Sequence, residues 1–307
     1  MIKGVCMASL RKKSLSNDSI FGNCWWVGPL FVGPILIVYS ILFAFPFLQG
    51  LYYSFTNWTA INPNYSFIGW QNYKEMFTLD EYFLPSLNRT FFIAFINVIF
   101  TNVLAMLFAV ALTNQFRWNN TWRALIFMPN VISMVVSGFI WKFMFGEILP
   151  KLGETTNISF LSNSWLSDPG IVAYSIVIVS VWWGLGYIMT IYIAGLQGID
   201  SEIIEAADID GCNSWQSFFK VKLPSMLPVV TVGIFLNISG SLKMFDTIYS
   251  LTGGGPGKAS EVAMLNIYRE AFVFNRMGYG NAKAVFLTVI IVLITIVQMK
   301  LTSTKER

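Results

Sequence analysis

Six stretches of this chain are apolar, wholly or nearly so, over the length that a helix needs to cross a bilayer. Crossing about 30 Å of hydrocarbon takes about 20 predominantly apolar residues. The stretches are residues 25–53, 91–112, 124–145, 171–196, 226–245 and 284–301. The fifth is the weakest, because it holds Asn237, Ser239 and Lys243. Composition points the same way: 55% of the 307 residues are hydrophobic and 12% are charged. Soluble chains carry about 25% charged residues, and a soluble fold this poor in charge would expose large apolar patches. The expected fold class is an all-α membrane protein with six transmembrane helices.

Several chemistries are excluded at this level. The chain has no histidine, which removes the usual zinc ligand and the commonest general base. Cys6, Cys24 and Cys212 lack metal-ligand spacing. No catalytic residue and no metal site is expected, and the chain is not read as an enzyme. A net charge of +4 is too modest for a nucleic-acid footprint. The segment around Gly257-Lys258 superficially suggests a phosphate loop. That motif needs G-x-x-x-x-G-K-[ST], yet Thr252 stands at its first glycine and Ala259 follows the lysine. The glycines are read instead as a tight turn.

Arg11, Lys12 and Lys13 precede the first span, and Lys305 and Arg307 follow the last. Positive residues favour the cytoplasmic side, so both termini are expected there. The expected organisation is a cytoplasmic N-terminal segment 1–24, a transmembrane domain 25–301 and a cytoplasmic tail 302–307. All three cysteines then face the cytoplasm, which suits reduced thiols. Pro29, Pro34 and Pro46 are expected to kink the first span.

The cytoplasmic stretch 197–225 is the most informative. Asp200 or Ser201 can cap a helix that carries Ile203, Ala206, Ala207 and Asp210. Gly211 stands where a left-handed residue ends a helix. Asn213 or Ser214 can cap a second helix bearing Trp215, Phe218 and Phe219, and Pro224 closes the segment. The spacing predicts two short helices joined by a sharp glycine bend. The residues alone allow a hairpin that merely rests on lipid.

The pattern Glu205-Ala206-Ala207, Gly211, Val221-Lys222-Leu223-Pro224 resembles the EAA loop of the membrane subunits of bacterial ABC importers, with Val221 in place of the usual Ile. Leu251-Thr252-Gly253-Gly254-Gly255-Pro256 after the fifth span, Ala194-Gly195-Leu196-Gln197 and Gly278-Tyr279-Gly280 resemble the carbohydrate-uptake members, the maltose-type binding-protein-dependent group. The resemblance implies a type I ABC importer permease core in a bacterial cell membrane. It implies four kinds of partner besides membrane lipid: a second homologous permease, two ATP-binding subunits, an extracytoplasmic solute-binding protein and a carbohydrate substrate. No cofactor is expected on this chain, and ATP-Mg belongs to the partner subunits. Coupling to the ATPase is expected through Glu205, Ala206, Ala207, Asp210, Gly211, Leu223 and Pro224.

Polar and aromatic groups inside the spans are candidates for the substrate path. Trp182, Trp183 and Tyr187 lie in the fourth span, too central for interfacial anchors. Asn237 and Ser241 lie one turn apart in the fifth. Close helix packing and helix–helix hydrogen bonding are the plainer readings of these residues. Lys142 and Lys243 are read as snorkelling to the interface, with ligand contact as the alternative. The competing function is an ion-coupled secondary transporter, which would usually show internal repeats and a buried coupling charge at the midplane. Neither is evident in the sequence.

Overall fold

The computed structural model describes residues 27–62, 64–113 and 118–303. The expectations for residues 1–24, Trp25, Trp26, Cys6, Cys24 and the tail at 304–307 lie outside them. The chain divides into two compact units, residues 1–50 and 51–307. The first holds most of α1, a helical run over 27–53. Within it a π-turn spans Ser40–Ala44, in which the Phe45 N–H reaches back to the Ser40 carbonyl. Pro46 follows directly. Proline lacks the N–H that would bond the carbonyl four residues back and crowds that carbonyl, and a widened turn just before it is one way to absorb the mismatch.

Among its described residues, the regular structure of the second unit is helical apart from one antiparallel bridge between Thr56 and Phe67. Its helices are α2 (Gln71–Thr78), α3 (Phe83–Thr113), α4 (Asn119–Val131), α5 (Met134–Thr156), α6 (Val172–Gln197), α7 (Ser201–Ile209), α8 (Ser214–Ser225), α9 (Leu227–Leu242), α10 (Asp246–Leu251), α11 (263–273, ending in a π-turn) and α12 (Met277–Ser303). Among the described residues, four helices are long and apolar enough to cross a membrane, or up to six spans if each bent pair counts as one. The third expected span, 124–145, is not one helix: α4 and α5 meet at 96°. The fifth expected span, 226–245, holds the single helix α9, and the 73° bend against α8 falls at its start, where the elbow ends. Prolines explain both breaks: Pro129 lies in the last turn of α4, and Pro224 and Pro228 open the turns on either side of Met226. The second span is longer than 91–112. The stretch 246–283, between the fifth and sixth expected spans, is largely helical.

α3 and α6 form the central pair. Ala105 and Ala109, both fully buried, sit against Ile188, Met189 and Tyr192. Small residues at this spacing let two helix backbones approach closely. A second apolar cluster around Ile176, Ile248 and Leu251 ties α6 to α10.

The start of α12 is locked to the start of α3 by charge. Lys283 is fully buried, and its Nζ lies 2.6 Å from Asp80, 3.1 Å from Glu270 and 2.7 Å from the Asn266 amide oxygen. Burial alone would push the Asp80 carboxyl up. The Lys283 ammonium, the Tyr279 hydroxyl and the Tyr82 N–H outweigh it and hold Asp80 at about 2, below its ordinary 3.8. A depressed carboxylate stabilises the fold above the unfolded value and loses that contribution as pH falls through the folded one. Wild-type stability measured against Asp80→Asn should therefore differ by about 2 kcal/mol at neutral pH. The difference should shrink between pH 4 and 2. Parallel pH curves for the two proteins would show that the carboxylate makes no such contribution.

Candidate functional site

The elbow predicted between α6 and α9 is present. The Asp200 side chain accepts the Glu202 N–H at 3.1 Å, capping α7. Gly211 has φ +75°, the left-handed region that a Cβ disfavours. Around it, the Cys212 N–H bonds the Ala207 carbonyl at 3.0 Å and the Gly211 N–H bonds Asp208 at 3.1 Å, the paired closure of a Schellman end. Two residues on, Asn213 and Gln216 exchange side-chain and backbone hydrogen bonds at 2.9 and 3.0 Å, a capping box that starts α8. The turn is thus satisfied from both sides, which makes it stiff. Ala207 is buried and anchors α7, while Glu205, Ala206, Asp210, Gly211 and Pro224 are exposed and Leu223 is half-buried. Ile209 and Trp215 are 86% and 72% exposed, and Trp215 stacks on Phe219 at 5.7 Å. Large apolar side chains thus stand in the open here near the exposed Glu205.

A cavity of about 400 Å³ opens among α3, the α4–α5 break, α6 and α9. Of the sequence candidates it gathers Trp183, Tyr187, Asn237 and Ser241. Trp182 faces elsewhere, its ring edge-on to Trp141 at 5.5 Å. Asn237 and Ser241 also make the helix–helix bonds of the plainer reading: Asn97 Nδ2 donates to Ser241 Oγ at 2.8 Å and to Asn237 Oδ1 at 3.4 Å, and Thr101 donates to Asn97 Oδ1 at 3.3 Å. Asn97, Thr101 and Asn130 line the cavity and were missed. Asn97 and Thr101 are one turn apart in a span whose only other polar residue is Asn102, the same signal that singled out Asn237 and Ser241. Lys243 and Asp246 stand at its rim, whereas Lys142 does not reach it.

Trp183 joins the cavity wall to the broken span. Its indole N–H donates to the Ile132 carbonyl at 2.9 Å, and Asn130 Nδ2 donates to the Trp183 carbonyl at 3.4 Å. Ile132 and Ser133 are extended, with ψ 137° for both, so their backbone groups leave the helical ladder. A freed carbonyl within a membrane must find a donor, and the indole supplies it.

The profile described as "Binding-protein-dependent transport system inner membrane component" matches residues 101–303. The chain belongs to this family. It is 38% identical over 286 residues to a probable starch degradation products transport system permease protein, AmyD, of Thermoanaerobacterium thermosulfurigenes, covering 93% of this chain and 97% of that one. It is 35% identical over 284 residues to a multiple sugar-binding transport system permease protein, MsmF, of Streptococcus mutans, covering 92% and 97%. Its fold matches a bacterial ABC transporter involved in the import of the acidic polysaccharide alginate, with TM-score 0.79 over 92% of this chain and 96% of that one at 19% identity. The chain is accordingly a multi-pass membrane permease of the binding-protein-dependent transport class, and nothing supports the ion-coupled alternative.

Proposed function

We propose that this permease imports a sugar or oligosaccharide, that its α7–α8 elbow is the handle gripped by ATP-binding subunits, and that the α3–α6–α9 cavity is part of the path. The observation that carries the coupling reading is the doubly capped elbow around Gly211, which presents Glu205, Ile209 and Trp215 outward. Its stiffness lets a push at the elbow reach α6 and α9, the two helices it directly joins. The sugar reading rests on the relatives and on the character of the cavity: two aromatic rings beside uncharged amide and hydroxyl groups suit a neutral polyhydroxylated ligand. ATP with Mg would reside on the partner subunits, which the elbow would engage. A second permease, a solute-binding protein and a bacterial cell membrane with both termini inside complete the arrangement. In this reading 1–24 and 302–307 are cytoplasmic and 25–301 spans the membrane.

Uptake in proteoliposomes containing the full complex tests the path. Asn237→Ala removes one acceptor for Asn97 and Ser241, and Trp183→Ala removes both the ring and the donor to Ile132. Each should weaken half-saturation for the sugar by about tenfold, the scale of one lost ligand hydrogen bond or stacking contact. Unchanged half-saturation in both variants would remove the cavity from the path.

A further inference from the structure

A second pocket, of about 310 Å³, lies on unit 51–307 and is lined by Asn57, Trp58, Gln71, Asn72, Glu75 and Arg276, over Tyr279. It shares no lining residue with the central cavity. It belongs with the beginnings of α3 and α12, which Lys283 and Asp80 clamp together, whereas the far end of α3, around Met106 and Leu107, faces the elbow aromatics Trp215 and Phe219. The pocket and the elbow are therefore at opposite ends of α3.

Its walls are fixed before any ligand arrives. Asn72 Nδ2 donates to the carbonyls of Ser54 at 2.8 Å and Thr56 at 2.9 Å. The Trp58 carbonyl accepts the Gly278 N–H at 2.8 Å, and the Trp58 ring stacks on Tyr53 at 4.4 Å. The Arg276 guanidinium is paired with Glu75, lies 3.6 Å from Glu270 and sits 4.1 Å over the Tyr279 ring. A site held this way loses little further freedom on binding. The Glu75 and Arg276 charges cancel, which disfavours an ion of either sign. What faces the pocket is a carboxamide on Gln71, a carboxylate and a guanidinium, each with two adjacent polar atoms in a plane, beside an indole. Neighbouring hydroxyls on a ring with an apolar face match that set.

We propose that this pocket is a second saccharide subsite, which holds the substrate at the end of the permease remote from the elbow before it reaches the central cavity. The proposal rests on the sugar-import reading. The test uses the complete importer in nanodiscs without its solute-binding protein, with maltotriose as the probe followed by saturation-transfer NMR, alongside maltotriose uptake with the binding protein restored. Gln71 is exposed, so Gln71→Trp fills the pocket and Gln71→Ala removes a polar partner without opening the core. Both variants should raise the maltotriose dissociation constant of the parent at least about fivefold, and Asn237→Ala should leave this component of binding in place. Maltotriose binding unchanged in both Gln71 variants, with uptake intact in the parent, overturns the subsite and leaves the import reading standing. Weakened docking of the solute-binding protein with unchanged maltotriose binding makes the pocket a protein contact and also overturns it. A parent that neither binds nor imports maltotriose removes the import reading for such sugars, and the subsite with it.

Discussion

Glu205→Lys should lower uptake about tenfold or more while the permease remains folded in the membrane. Glu205 is exposed on α7 and has no ion pair among the described residues, so its charge is available to a partner. Truncating one member of a charge pair that an interface buries and hydrogen-bonds weakens it by about 2–5 kcal/mol, and reversal adds repulsion. Folding should be spared, because no internal hydrogen bond is lost. The readout is sugar uptake together with ATP hydrolysis by the reconstituted complex, and retained uptake with normal hydrolysis would sink the coupling role. Gly211→Ala makes a graded companion. An added Cβ at Gly211 meets open space, so the only penalty is the left-handed backbone, about 1–2 kcal/mol. A milder loss than that of Glu205→Lys is expected, and Gly211→Asp should be worse than Gly211→Ala because it adds a charge beside Asp208 and Asp210.

The largest effect on stability is expected two residues beyond Gly184. A Cβ built on Gly186 would stand 2.5 Å from the Phe127 Cα and 2.9 Å from the Ile126 carbonyl carbon. Both atoms are backbone of α4, so no side-chain rotation relieves the clash. Gly186→Ala should destabilise by about 3 kcal/mol, the upper range for overpacking, and Gly186→Val should abolish accumulation in the membrane. Gly184→Ala is the control, since its nearest neighbour is the Thr101 methyl at 3.9 Å. Thermal unfolding of the two alanine variants in detergent decides the matter. Equal midpoints would mean that the α4–α6 contact is looser than it stands in the structure.

Much of this protein is local in origin, and local features are written in the sequence. Helix existence in the spans follows from length and apolarity. The elbow follows from Asp200, Gly211 and Asn213, because a cap, a left-handed residue and a second cap each act within four residues. What the sequence could not supply is every pairing across the chain. The break at Ile132 is stable because Trp183, 51 residues away, donates to it, and Asn97 acquires its role only when α9 brings Ser241 against it across 144 residues. Lys283 looks like a stray charge at the head of an apolar helix until folding surrounds it with Asp80, Glu270 and Asn266. Hydrophobic length selects helices and a bilayer, since it depends only on solvent. Which polar groups share a cavity depends on how the helices pack, and that geometry is decided only when the tertiary structure forms.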